Sequence, residues 1–286
     1  MSVKPDDIRN IAFVGHGSSG KTTLVDKILM LTGAVQGQHS VDDGTSVCDF
    51  DEEEKHHKYT IESSIAHFDH AGKRFNVVDT PGYPDFIGQT IGALKGVDTA
   101  VVVINAHSGI AVNTRRVFKE AEKNGQGKII VINKMDDENV DYASLLASIQ
   151  ELWGPGCVPL NVPIGQGHDF KGVVSTLKPP SDAAGAVIDP ASITNSLLES
   201  IIEVDEQAME RYFEGEIPGD EELSKLIVRG VSQGTLIPVL AVSGKTGGGL
   251  KELLDALAQC AIPASSIKRA AKKDGEIVDV IADRSA

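Results

Sequence analysis

Cysteine is scarce in this chain, with three residues at positions 48, 157 and 260 among 286. Their wide separation matches neither a disulfide framework nor metal-ligand spacing, so reduced, packed thiols and a cytoplasmic protein are expected. Long apolar runs are missing too. The most apolar stretch, residues 99–106, is far too short to span a bilayer and suits a strand buried on both faces. No secretory leader is read at the start, where a polar segment of mixed charge, residues 1–10, precedes an apolar run that stops at Gly15. Positive charge is in deficit: 27 Lys and Arg stand against 41 Asp and Glu, a net charge of −14. That balance argues against broad attraction to nucleic acid, and neither DNA nor a membrane is an expected partner. No internal repeat or low-complexity tract is found.

The chain has 41% hydrophobic and 24% charged residues, enough for a sizeable core in a soluble globular protein. Its length suits one α/β unit with an appendage. Short apolar runs alternate with helix-period segments, the pattern of a mostly parallel sheet flanked by crossover helices. Strands are predicted at 11–14, 74–79, 100–104, 128–132 and 236–242, and helices at 21–31, 86–94, 112–123, 250–260 and from Asp141, as cap, to Leu152. Residues 34–58 carry a charged run and little apolar periodicity, which predicts a mobile loop. Ile61, Ser63, Ile65 and His67 alternate as a strand that turns at 71–73 into an antiparallel partner. Adjacent His56 and His57 give by spacing no reason to infer a metal site. After Trp153 the rhythm breaks, and two amphipathic helices are predicted at 195–213 and 221–233. The expected division is a main α/β domain at 1–157 and 236–263, an inserted α+β subdomain at 158–235, and a linker or tail at 264–286.

Gly15, His16, Gly17, Ser18, Ser19, Gly20, Lys21 and Thr22 fit G-x-x-x-x-G-K-[ST] between a predicted strand and a predicted helix, the context a phosphate loop requires. Glycine lets amide N–H groups turn toward phosphate oxygens, and the helix N-terminus adds a positive dipole end. Lys21 is expected to reach the β- and γ-phosphates and Thr22 to ligate Mg²⁺, with Thr23 beside it in the nucleotide site. Asp79-Thr-Pro-Gly82 ends a strand with a carboxylate near the metal shell and a flexible amide, at Gly82, near the γ-phosphate. Thr60, at the end of the charged loop, is placed to close on the metal when a third phosphate is present. Alone, each of these is an ordinary turn or strand start; together they are not.

Asn133-Lys134-Met-Asp136 follows a strand at the carboxyl edge of the sheet, where such folds bind ligands. A carboxylate at Asp136 accepts from guanine N1–H and the exocyclic amine, donors that adenine does not offer as a pair, so GTP or GDP is expected over ATP. Lys134 covers the ring with its stem. Ser243, Gly244 and Lys245, after the last strand, bring backbone amides toward guanine O6.

These motifs resemble those of the translational GTPases, and over nearly the whole chain the sequence is similar to the first domain of elongation factor G. Val162-Pro-Ile-Gly165, residues 170–174 and 204–215, and Ile237-Pro-Val-Leu240 carry the likeness beyond the nucleotide motifs. They discriminate against elongation factor Tu, which lacks the insertion, and less against release factor 3. The resemblance implies that Lys21 and Thr22 bind phosphate and metal, that Thr60 and Asp79 lie in the two switches, and that Asn133, Asp136 and Ser243 hold guanine. It implies a GTPase of the ribosome whose inserted subdomain meets the ribosomal stalk. Its chemistry would rest on Lys21, Thr60, Gly82 and Tyr83, with Thr22, Thr60 and Asp79 at the metal. Two residues depart from the family: Ser18 stands for an acid, and Tyr83 for the His that positions the attacking water. The pattern is that of a divergent, second-copy factor, and the family has further domains beyond this length. A GTP-dependent binding switch with very weak hydrolysis, or a release-factor-3-like or ribosome-rescue GTPase, is the alternative expectation.

Overall fold

Apolar strands that need cover on both faces and amphipathic helices that supply it alternate along most of the chain, and a computed structural model shows how they assemble. The structure describes residues 3–267, 269–273 and 275–280. In chain order the elements are β1 (Ile8–Gly15), α1 (Lys21–Leu31), α2 (Glu52–His57), β2 (Ser64–His70), β3 (Lys73–Asp79), α3 (Ile87–Lys95), β4 (Thr99–Asn105), α4 (Val112–Lys123), β5 (Gly127–Asn133) and α5 (Tyr142–Trp153). There follow β6 (Cys157–Pro159), β7 (Asn161–Ile164), β8 (Gly172–Ser175), α6 (Pro190–Ile202), α7 (Glu206–Phe213), α8 (Asp220–Gln233), β9 (Ile237–Ala241), α9 (Leu250–Cys260), β10 (Arg269–Lys273) and β11 (Glu276–Val280).

Seven strands form one sheet in the order β2-β3-β1-β4-β5-β9-β6, parallel throughout except for the edge strand β2, which runs antiparallel to β3. The expected α/β fold is the observed one. Buried through residues 99–104 of β4 and the whole of β5, the apolar runs mark the central parallel strands. β2 and β3 meet through Ala71 and Gly72, both at positive φ, the geometry of a two-residue type I′ hairpin. Because β1 lies between β3 and β4, connections leave it to either side, and the crevice at its carboxyl end is where such sheets bind ligands.

Three expectations need correction. Residues 34–58 are not wholly loop, because α2 forms inside them. Asp51 and Glu54 make a capping box, and Glu54 is fully buried, accepting the amides of Ile61 and Glu62. The helix predicted at 195–213 is two helices: α6 starts earlier, at Pro190, and Asp205 caps α7 by accepting the Gln207 and Ala208 amides. The segment expected as linker or tail carries the antiparallel hairpin β10–β11.

β6 pairs with β9 in the main sheet, and only after it does the chain leave for the β7–β8 hairpin and three helices. This excursion is tied back by Asn161, whose buried side chain accepts the Ala241 amide at 2.7 Å and donates to the Ala241 carbonyl at 3.4 Å. Leu197, Ile201, Ile227 and Val231 on α6 and α8 are buried against the same core. No helix among the described residues is long and apolar enough to cross a membrane.

Candidate functional site

Gly20 stands at φ 87° before α1, and a side-chain carbon there would collide with the Asn133 amide, so the loop from Gly15 closes only with glycine at this turn. Ser18 takes a left-handed φ of 60° without that freedom. Lys21 is buried, and its ammonium donates to the His16 carbonyl at 3.0 Å, bending the side chain back across the loop.

Behind the loop, three segments converge. Thr22 Oγ1 donates to Asp79 Oδ2 at 2.7 Å and lies 2.8 Å from Thr60 Oγ1, and Thr60 donates to Asp49 Oδ1 at 2.9 Å. All four residues are buried, and Asp79 Oδ1 has no partner among the described residues. Burial draws Lys21 below and pushes Asp79 above their ordinary ranges, while attraction between the two opposes both shifts. Burial likewise pushes Asp49 up to about 6, with the Thr60 hydroxyl pulling the other way. Asp26, on the buried face of α1, accepts the Val47 amide and so anchors the start of the segment that brings Asp49 and Thr60 in.

The turn after β3 is held at several points. Thr80 donates to the Phe13 carbonyl, Thr90 to that of Pro81, and buried Asn113 to that of Gly82 at 2.7 Å. A side-chain carbon on Gly82 would strike the Lys21 ammonium and the Gly17 amide, so this approach demands glycine. Next to it the Tyr83 ring lies over Gly17 and meets Tyr59 edge-on at 4.9 Å.

At the far end, Asn133 joins two loops: its amide donates to the Ser19 carbonyl and its oxygen accepts the Gly244 amide, both at 2.9 Å. Ser243 Oγ donates to Asp136 Oδ1 at 2.5 Å and orients the half-buried carboxylate. Ser243 N–H is spent on Gly248 O and Gly244 N–H on Asn133, so of the three amides expected near the base, that of Lys245 alone has no acceptor among the described residues.

A cavity of about 550 Å³ joins the two ends. Of the residues expected from sequence, Gly17, Ser18, Gly20, Lys21, Thr22, Thr23, Thr60, Gly82, Tyr83, Asn133, Lys134, Asp136, Gly244 and Lys245 line it. Gly15, His16, Ser19, Asp79 and Ser243 are not on its wall. Sequence reading missed Asp26, Asp49, Tyr59 and Asn113. Asp49 sits in an acidic run with nothing to single it out, and Asn113 is reachable only through the fold. The wall contains Lys21, Lys27, Lys58, Lys134 and Lys245 but no Arg.

Residues 6–263 match the family described as "Elongation factor Tu GTP binding domain". The chain is 33% identical over 262 residues to an elongation factor G-like protein of Mycobacterium tuberculosis, covering 88% of this chain and 36% of that protein. It is 31% identical over 291 residues to elongation factor G of Thermotoga neapolitana, covering 96% and 42%. A crystal structure of a Thermus thermophilus protein superposes with a TM-score of 0.84 at 31% identity, over 90% of this chain and 41% of that one. The chain thus spans well under half the length of these relatives. With a phosphate loop after β1, a base-reading segment after β5 and a family match across nearly all of its length, the chain belongs to the elongation factor Tu GTP-binding domain family and binds guanine nucleotide.

Proposed function

We propose that the chain is the GTPase unit of a cytoplasmic, ribosome-associated translation factor resembling elongation factor G, and that it works with Mg²⁺. One arrangement carries the reading: Thr22 and Thr60 line one end of a cavity, with the Asp79 carboxylate bonded to Thr22 behind them, and the other end presents the Asp136 carboxylate. Hydroxyl and carboxylate oxygens are the hard donors Mg²⁺ prefers, and the buried, unpartnered Asp79 Oδ1 leaves an acceptor over that would suit an ion held here. Thr22, Thr60 and Asp79 would hold the ion, which supplies charge neutralisation on the β- and γ-phosphate oxygens.

The chain's own residues do the rest. Loop amides from 15 to 22 and the Lys21 ammonium enclose the phosphates. Gly82 presents its backbone toward the γ-phosphate, and Tyr83 offers a phenol to orient the attacking water. No Arg lines the cavity to neutralise the developing charge, so turnover is slow until the ribosome docks. Asp136 reads the base, Lys134 covers it, and Ser243, Gly244 and Lys245 complete the guanine site. Residues 158–235 form an inserted subdomain whose partner is the ribosomal stalk.

Two measurements test this. Competition binding in Mg²⁺ should favour GTP over ATP by ~100-fold or more, the scale of discrimination when a buried polar group is left unpaired. GTP turnover by the full-length protein should rise on adding ribosomes. Equal affinity for both nucleotides, or equal turnover with and without ribosomes, rejects the reading.

A further inference from the structure

We infer that Glu53, His56 and His57, on the solvent face of α2, form a binding site for a borderline divalent transition-metal ion of the zinc or nickel class. As adjacent residues, His56 and His57 carry no such signal. The helix changes this, because Glu53 lies three and four residues before them and so shares their face. Their ligand atoms all lie within 4.8 Å of one another, and His57 Nε2 is already 3.3 Å from a Glu53 carboxylate oxygen. Small side-chain rotations close that spread to the separations set by metal–ligand bonds of ~2.0–2.2 Å. All three residues are exposed, so a hydrated ion reaches them without opening the core.

The chemistry selects the ion. Two imidazole nitrogens and one carboxylate suit zinc, nickel or copper, whereas magnesium and calcium want oxygen donors. The set leaves at least one position to water. The scaffold is also fixed in advance: the Asp51–Glu54 capping box starts α2, buried Glu54 ties it to Ile61 and Glu62, and the His57 ring stacks on Tyr59 at 5.5 Å. Tyr59 in turn meets Tyr83 over Gly17, so the ion sits two aromatic contacts from the phosphate loop, at a place separate from the oxygens of Thr22, Thr60 and Asp79. Cys48, Cys157 and Cys260 are buried and do not compete.

The test is a titration of Zn²⁺, and separately Ni²⁺, against a chromogenic chelator, using tag-free protein saturated with GDP in excess Mg²⁺ so that the nucleotide site is filled. One equivalent should bind. His56→Gln and His57→Gln should each weaken uptake by at least ~10-fold, on the scale of losing a group that supports a metal site. His168→Gln, which removes another exposed histidine paired with a carboxylate at Glu138, should leave it unchanged. Absence of uptake by the wild type, or undiminished uptake by the double variant His56→Gln/His57→Gln, overturns the assignment. Neither outcome touches guanine binding, which is measured separately in the same samples.

Discussion

Thr22 and Thr60 come from segments 38 residues apart and place their hydroxyl oxygens 2.8 Å from each other. Thr22 spends its proton on Asp79 and Thr60 spends its proton on Asp49. The contact between the two hydroxyls therefore has no proton while both carboxylates are ionised. The divalent cation proposed for this site would resolve the conflict, since coordination would replace a missing proton with a positive centre.

Removing the Thr60 hydroxyl should accordingly separate the two nucleotide states. Thr60→Ala is expected to lower activated GTP turnover by ~100-fold, comparable to losing one aligned transition-state donor, while changing GDP affinity far less. Thr22→Ala should weaken both GDP and GTP in Mg²⁺. Single-turnover kinetics with parallel equilibrium binding check this, and equal effects on both nucleotides in Thr60→Ala would contradict it.

Asp136 is oriented by Ser243 rather than by a cation. Exchanging it for Asn keeps the shape but replaces an acceptor with a donor facing the base edge. Asp136→Asn should lose ~100-fold or more in GTP affinity and gain relative affinity for a purine carrying a carbonyl in place of the exocyclic amine. Competition among these nucleotides reads the result directly.

Tyr83 is held over Gly17 and against Tyr59, and in the proposed function it is the group that orients the attacking water. Tyr83→His should raise ribosome-stimulated turnover by ~100-fold, the low end of what a positioned acid–base group contributes. An unchanged rate in the activated state would show that Tyr83 does not limit the chemistry.

The three thiols are buried, and burial drives them well above the ordinary cysteine range, with Cys157 and Cys260 each pushed up to about 12. A thiolate is the reactive form, so its fraction at pH 8 is small and its access is blocked. Native protein should resist alkylation at all three sites, whereas denatured protein should be modified at all three. Mass spectrometry counts the adducts.

Asn133 and Asn161 are both buried amides that tie two backbone segments together, yet only the first borders the nucleotide cavity. Each Ala substitution should cost roughly 2 kcal/mol or more, because buried backbone groups lose their partners. Asn161→Ala should leave nucleotide affinity intact in the folded protein, and Asn133→Ala should abolish most of it. Denaturant midpoints and binding isotherms separate the two effects.

Local chemistry was enough to read much of this protein. The phosphate loop, the Asp79–Gly82 turn and the Asn133–Asp136 segment announce themselves because each must follow a strand, and the centres of the buried strands β4 and β5, residues 100–104 and 129–132, are apolar without interruption. Helices α4 and α9 begin and end as their periodicity indicates, since an amphipathic face and its terminators lie within one stretch of chain. Even α2 was legible in principle, as Asp51 and Glu54 have capping-box spacing, but a short helix in a charged run has no apolar stripe to show it.

Tertiary structure alone decided what meets across distance. Motif reading brought Thr22 and Thr60 to one metal and Asn133 and Gly244 to one base, but nothing in the sequence relates Thr60 to Asp49, Asn113 to the Gly82 carbonyl, or Asn133 to the Ser19 carbonyl. These are polar groups whose partners are set by which loops the sheet order brings to one crevice. Likewise Glu53 joins His56 and His57 only once the backbone is helical, and Tyr59 meets Tyr83 only because the fold brings their two loops together. Apolar pattern specifies elements because burial acts residue by residue, whereas hydrogen bonds and ligand sets need two or three directions to coincide, and only the assembled chain supplies them.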